Sequence, residues 1–342
     1  MKSSRDIDFV ILWVDHNDTI WQREFIRYGG DRESISSFRD WGHLRYIFRS
    51  FEEFAPWVRK IHLVTSGQIP KWLDIDHPKL NLIHHKDLLD IDTLPTFNSN
   101  AIEPYIYKID GLAEHFVLFN DDTILTKAIP RERFFKDGLP RDIMISNALS
   151  SSSGVGHFVL NNIEILNRHF NKRDICFSNF SKCFNYRYGI DLLRNIALLP
   201  WGRFTGFVDP HQPQPFLKST FHELWRVENE EISSRTISRF RSCSDINIYL
   251  FRYWQLAKGE FSPISMSDTE FIILDSIETI DQKLSDMILS NRYSMICLND
   301  STLLQEREFI EAKTKLDQIL YKLLPNRSTF ELETQPISTI KI

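Results

Sequence analysis

The chain has 342 residues, 42% of them hydrophobic and 25% charged, enough apolar material for a large core and far from the composition of a disordered chain. Its formal net charge of −5 argues against a general polyanion binder, so nucleic acid is not the expected partner. Cys176, Cys183, Cys243 and Cys297 have no C-x-x-C spacing, which leaves reduced thiols and argues against a structural zinc.

In "MKSSRDIDFVILWVD" the apolar run is too short and too β-branched for a signal peptide or a spanning helix, and no later segment reaches spanning length. The expected location is cytoplasmic, with any membrane contact peripheral, at the inner face of the cell membrane. "DFVILWV" (8–14) reads as a buried strand of a largely parallel sheet. The period then changes: Leu44, Ile47, Phe48, Phe51 and Phe54 recur at helical spacing until Pro56 ends the helix. Residues 60–67 and 81–85 are two further strands. This alternation predicts an α/β fold whose sites gather at the carboxyl ends of the strands.

"HFVLFNDD" and residues 142–148 continue the strand series. A loop at 151–154 leads to a mostly helical insertion over 157–200, and helices are expected across 217–256. "FIILD" and "SMICL" read as late strands and 302–323 as a closing helix. Its "KTKL…LYKLL" segment suits either an amphipathic surface helix or one packed on its own domain. The expectation is one catalytic domain over 1–342, with an α/β core from about 5–150 and 201–335.

Four stretches could carry chemistry. Asn120, Asp121 and Asp122 end a strand, and adjacent carboxylates repel unless a cation sits with them, although an Asx-type turn explains the same residues. In "TFNSNAIE", Asn98 or Ser99 caps a helix that places Glu103 in its first turn, or Glu103 serves as a second anionic group. Three prolines around His211 fix an imidazole outside regular structure, suited to acid/base work or to a phosphate contact. Arg239 and Arg241 could grip phosphate oxygens. "CLNDS" brings Asn299 and Asp300 to the edge of Asn120–Asp122 if both strands run parallel.

Together, "IDFVILWVD", "FRDWGHLRYIFRSFEEFAPWVRKIHLVTSGQIPKWL", "LPTFNSNAIE", "FVLFNDD", "DPHQPQPF", "SRFRSCSDIN", "CLNDS" and "LLPNRSTFE" resemble, in order, the four blocks of the Stealth family. That family comprises bacterial capsular polysaccharide phosphotransferases and the catalytic part of the lysosomal-enzyme N-acetylglucosamine-1-phosphotransferase. The resemblance implies a GT-A-like, Rossmann-like nucleotide-sugar domain. It implies transfer of a hexose 1-phosphate from a UDP-sugar to a hydroxyl of an oligosaccharide or lipid-linked glycan, with a divalent cation, Mg²⁺ or Mn²⁺, and release of UMP. A metal-dependent glycosyltransferase releasing UDP and an inactive glycan-binding scaffold are the alternatives. On the family's motifs the catalytic positions fall on Glu103, Asp122, His211 and Arg241. Beside them we assign Asp15, Arg39, Asn98 and Asn100 to donor binding, with helix capping the rival reading of neighbouring Asp40. Asp121, Asp122, Asn299 and Asp300 are assigned to the metal.

Overall fold

The structure, a computed structural model, describes residues 6–31, 39–150, 154–301 and 304–332. Its centre is a five-stranded sheet built from β1 (Ile7–Leu12), β2 (Ile61–Thr65), β3 (Leu80–His84), β4 (His115–Phe119) and, far along the chain, a proline-containing strand at Gln214–Leu217. From edge to edge the order is β3, β2, β1, β4 and then 214–217; the first four run parallel and the last antiparallel to β4. Helices cover both faces, so β1 is buried along nearly its whole length. Its side chains alternate: Phe9 and Ile11 enter one apolar core, Val10 the other. The α/β class expected from the strand–helix alternation is therefore the one observed.

The first helix, α1 (Thr19–Arg27), is capped by Asp18, which accepts from the Ile20 and Trp21 amides. The helix α2 (His43–Phe54) buries Leu44, Ile47, Phe48 and Phe51, and it stops one residue before Ala55-Pro56 because proline disfavours helical geometry in its predecessor. Phe51 meets Phe9 and Phe119 edge-on at 4.9 and 4.7 Å, which fixes the helix across β1 and β4.

After β4 the chain turns at Asn120–Asp122 into β5 (Thr123–Leu125), then into the short strands β6 (Phe135–Lys136) and β7 (Leu139–Asp142). The strand expected over 142–148 is only partly present. Beyond Asp142 it survives as a ladder in which Val208 N donates to Ile145 O at 2.8 Å and Asn147 N to Gly206 O at 2.9 Å. Between the two rails of this ladder lies the helical insertion, with helices Gly154–His169, Lys172–Ser178, Phe180–Cys183 and Leu192–Leu198. Of the loop expected at 151–154, residues 151–153 lie outside the described residues.

The strand β8 (Gln214–Leu217) was not expected, because Pro213 and Pro215 mask it. It is an edge strand of the main sheet, where a missing amide is tolerated. Two small sheets complete the fold. The strand β9 (Ser262–Pro263) joins β7, while β10 (Thr269–Leu274) and β11 (Met295–Asp300) run parallel to each other. The expectation that β11 lies parallel to the Asn120–Asp122 strand is corrected: β11 pairs antiparallel with β5, Cys297 opposite Thr123, in a sheet separate from β4. It still delivers its end to the acidic turn, because β5 begins where that turn ends and Leu298 N donates to Asp122 O at 2.7 Å.

The closing helix Glu306–Leu323 packs Phe309, Ala312, Leu316, Ile319 and Leu320 against β10 and β11, which decides between the two readings of its lysines in favour of packing. Residues 302–303 of the expected helix lie outside the described residues. Among the described residues no helix is long and apolar enough to cross a membrane.

Candidate active site

Parallel pairing aligns the carboxyl ends of β1 and β4, with Ile11 opposite Phe119, so the segment holding Asp15 and the turn Asn120–Asp122 emerge side by side. Asp122 is the hub. Its Oδ2 lies 3.6 Å from His211 Nε2 and accepts from Asn299 Nδ2 at 3.4 Å, and its Oδ1 accepts from Thr123 Oγ1 at 3.2 Å. Asn120 Nδ2 reaches the same His211 nitrogen at 3.5 Å. Burial opposes the charge on Asp122, but the hydrogen bond and charge of His211, followed by the Cys297 thiol, hold its carboxyl below the usual range. Burial, then the Asp122 charge, pushes the Cys297 thiol up, so it stays protonated.

Asp121, in the same turn, is exposed at its surface, yet protein crowds the region around it. That desolvation, then the charges of Asp122 and Asp40, pushes its carboxyl up to about 7.

The loop bearing His211 is stiffened from below by a buried ion network as well as by its prolines. Arg252, fully buried, donates to Asp142 at 2.8 and 3.0 Å and to Asp209 Oδ1 at 2.7 Å, and Tyr253 Oη donates to Asp209 Oδ2 at 2.5 Å. Tyr249 Oη donates to Pro210 O at 3.1 Å, and Gln212 Nε2 donates to Glu270 O at 3.1 Å. The imidazole stands edge-on to Phe271, with ring centres 5.3 Å apart.

Glu103 and Arg241 form a second group. Burial pushes the Glu103 carboxyl up to about 7, against the pull of the Arg241 charge, the Ile248 amide and Ser99. Arg241 is exposed, and its Nη2 meets Ser99 Oγ at 3.4 Å. Tyr249 stands between the two groups: it follows Ile248, holds the residue before His211, and its phenol feels the charges of both Asp209 and Glu103. The structure thus joins Asp122 with His211 and Glu103 with Arg241, and a single helix start, Ile248–Tyr249, touches Glu103 and the residue before His211.

Several of the assigned residues have partners within the chain. Arg39 Nε and Nη2 grip Asp300 at 3.2 and 3.1 Å, and its donors also reach Ser301 O and Leu304 O. Asp300 accepts further from Ser301 N on Oδ1 at 2.8 Å. Asn98 and Asn100 are buried. Asn98 Nδ2 donates to Ser238 O, Phe240 O and, at 2.8 Å, Asp245 Oδ2, while its Oδ1 caps Asn100 N; Asn100 Nδ2 also donates to Asp245 Oδ2, at 3.4 Å. These amides clamp the Arg241 loop onto the Glu103 helix. Asp15 remains at the mouth; its carboxylate accepts from Asn17 N at 2.9 Å and its backbone is locked to Gln68. Asp40 makes an Asx turn to Gly42 N at 2.8 Å, and the N-cap of α2 is Gly42 itself at φ +78°.

His43 escapes a sequence reading that takes α2 only through its apolar positions. It is buried, stacked at 6.1 Å on Trp41, and its Nε2 has no hydrogen-bond partner among the described residues. Burial, more than the opposing charges of Asp40, Asp122 and Asp300 can offset, lowers its pKa to about 4, so it faces the acidic turn as a neutral ring. An unmatched polar residue in the first turn of an otherwise apolar helix face was the available signal. Tyr249 and Arg252 had none, because they lie within a helical run that reads as core.

Residues 37–142 match "Stealth protein CR2, conserved region 2" and residues 286–341 match "Stealth protein CR4, conserved region 4". The chain is 38% identical to the capsular polysaccharide phosphotransferase WcwK of Streptococcus pneumoniae, over 97% of this chain and 99% of that one. It is also 38% identical to the receptor polysaccharide phosphotransferase WefC of Streptococcus gordonii (95% and 99%) and to the exopolysaccharide phosphotransferase cps2G of Lactiplantibacillus plantarum (95% and 96%). Among solved structures, the glycosyltransferase GlyE of Streptococcus pneumoniae TIGR4 aligns at TM-score 0.37 and 10% identity, covering 95% of this chain and 66% of that one. The α/β assignment rests on the sheet itself and not on that likeness. The matched blocks carry Glu103, the Asn120–Asp122 turn, Asn299 and the Arg39–Asp300 pair, and with near full-length identity to three polysaccharide phosphotransferases they establish that this chain belongs to the Stealth family.

Proposed function

We propose that the chain transfers a hexose 1-phosphate from a UDP-sugar to a hydroxyl of a surface-polysaccharide acceptor. The observation that carries this reading is the convergence on His211 Nε2 of Asn120 at 3.5 Å and Asp122 at 3.6 Å, in a chain whose relatives are polysaccharide phosphotransferases. A neutral imidazole accepts from the Asn120 amide through Nε2, and once protonated it turns that nitrogen into a donor toward Asp122. When the acceptor hydroxyl displaces the Asn120 amide from that single lone pair, His211 can take its proton while Asp122 stabilises the resulting cation. The acceptor oxygen bonds to the β-phosphorus, the bond from that phosphorus to the bridging oxygen breaks, and UMP leaves with the proton. The protein's task is alignment and charge neutralisation. Arg241, exposed and backed by Glu103 and Ser99, is placed to hold phosphate oxygens in its planar fork.

The acidic turn fits a hard divalent cation. Asp121, Asp122 and Asn299 offer oxygen donors, and Asp121 feels, besides its burial, the negative charges of Asp122 and Asp40. His211 and Cys297 also approach Asp122, with ligand atoms all within 4.8 Å, so the nitrogen and sulfur donors lie beside the oxygen set. Mg²⁺ or Mn²⁺ held by Asp121, Asp122 and Asn299 would neutralise the donor diphosphate. The test is incubation with UDP-N-acetylhexosamine, Mg²⁺ and acceptor oligosaccharide, with the freed nucleotide identified by chromatography. UMP supports the reading; UDP assigns the protein to glycosyl transfer instead.

A further inference from the structure

We propose that the exposed face of the helical insertion is a docking surface for an anionic lipid leaflet. Six large apolar side chains on it, Phe177, Tyr186, Ile190, Leu193, Ile196 and Trp201, are between 54% and 82% exposed, a concentration that a water-facing surface does not need. The fold turns them outward. Asn195, buried, donates to Met144 O and Cys183 O at 2.8 and 2.6 Å, which directs Leu193 and Ile196 of the same helix away from the core. Lys172 Nζ donates to Leu198 O at 2.6 Å and Arg173 Nη2 to Pro200 O at 3.0 Å, tying the helix that carries Phe177 beside the turn that carries Trp201.

Charge selects the occupant. Residues 171–203 hold six Lys or Arg, of which Lys172 is buried, against two Asp, leaving a net of +3 from the groups that are not buried in a chain whose formal charge is −5. Arg173, Arg187, Arg194 and Arg203 are exposed among the apolar side chains, and the Arg187 guanidinium lies 4.7 Å from the Tyr186 ring centre. Aromatic rings, aliphatic side chains and arginines on one face suit the boundary between acyl chains and anionic headgroups. A second copy of the chain fits poorly, because a two-fold contact would set this cationic face against itself.

The face is mechanically close to the chemistry. The return rail of the insertion, paired through Val208 N to Ile145 O, runs directly into Asp209-Pro210-His211, so the docked insertion and the His211 loop are continuous in the chain. Binding itself does not depend on the reaction; its consequence, presentation of a lipid-linked acceptor, rests on the proposed phosphotransfer.

The full chain is tested by co-sedimentation with vesicles of phosphatidylcholine alone and of phosphatidylcholine mixed with phosphatidylglycerol. It should pellet with the mixed vesicles only, and less so as salt is raised. Arg187→Glu should weaken that binding by about fivefold or more. Ile190→Ser with Leu193→Ser should weaken it by about tenfold or more. The melting temperature and UMP release with a water-soluble acceptor should not change in either variant. Absence of phosphatidylglycerol-dependent pelleting overturns the proposal, as does binding indifferent to all three substitutions. A dimer in sedimentation equilibrium that the same substitutions dissociate assigns the face to a second copy. Vesicle binding without UMP release in the parent protein leaves the docking face standing and removes the reaction.

Discussion

At His211, one nitrogen faces an amide that can donate and a carboxylate that can accept, the arrangement that the proposed proton relay uses. His211→Ala should lower turnover by about 10²–10⁴-fold while donor affinity, measured by titration calorimetry, stays nearly unchanged. A collapse of donor affinity in that variant would make the imidazole a phosphate ligand instead. Glu103 gives a second handle, through stability. Burial raises its carboxyl from the ordinary range to about 7. The contribution it makes to stability is therefore fully present below the unfolded-state value of about 4.3 and is lost as pH rises through 7. Relative to the parent, Glu103→Gln should gain about 1–3 kcal/mol of stability between pH 4.5 and pH 8, because each tenfold change in proton affinity is worth about 1.4 kcal/mol. Urea melts at the two pH values check this, and an unchanged difference would mean that Glu103 is ionised throughout.

At the scale of elements, the segment Asn98–Glu103 and the loop Ser238–Asp245 behave as one clamp. Phe97 N donates to Arg239 O at 2.8 Å, Asn98 binds two carbonyls of the loop, and Phe97 stacks on Phe240 with ring centres 5.3 Å apart. Asn98→Ala strips partners from buried Asp245 and from two carbonyls. It should cost about 1–3 kcal/mol of stability and lower kcat through the loop that carries Arg241. A variant with parental melting and kcat would show the clamp to be idle. The same elements show what sequence could convey. β1, α2, β2, β3 and β4 were legible because long apolar runs and a 3.6-residue period announce them. The acidic turn, the proline-fixed imidazole and Asn299 were legible as unusual polar residues at strand ends. β8 was hidden by its prolines, and the separate β5–β11 pairing by the brevity of β5. Asn98, Asn100, Arg39 and Asp300 mark the limit of that reading, because polar residues beside a site look alike in sequence whether they bind a ligand or one another. Only the partners Asp245, Ser238 and Ser301, distant along the chain, separate the two cases.

Across the whole molecule, residues from three distant segments, 120–122, 211 and 299, meet because β4 and β11 deliver their ends to one turn and the Arg252 network ties the return from the insertion to the core. Asp142 ends β7, Asp209 precedes the His211 loop, and Arg252 binds both while itself fully buried. Arg252→Met would strand two carboxylates without their cation and should destabilise the fold by about 3–5 kcal/mol, seen as a lowered denaturant midpoint. A loss under about 1 kcal/mol would mean that water replaces the guanidinium. The central claim, that the bond broken lies between the two donor phosphorus atoms, is tested most directly by following a radiolabel on the β-phosphorus of the UDP-sugar. The account predicts that the label passes to the glycan, in a linkage stable to phosphomonoesterase, as unlabelled UMP is freed. Label recovered in free UDP, with an unlabelled glycan, would contradict it.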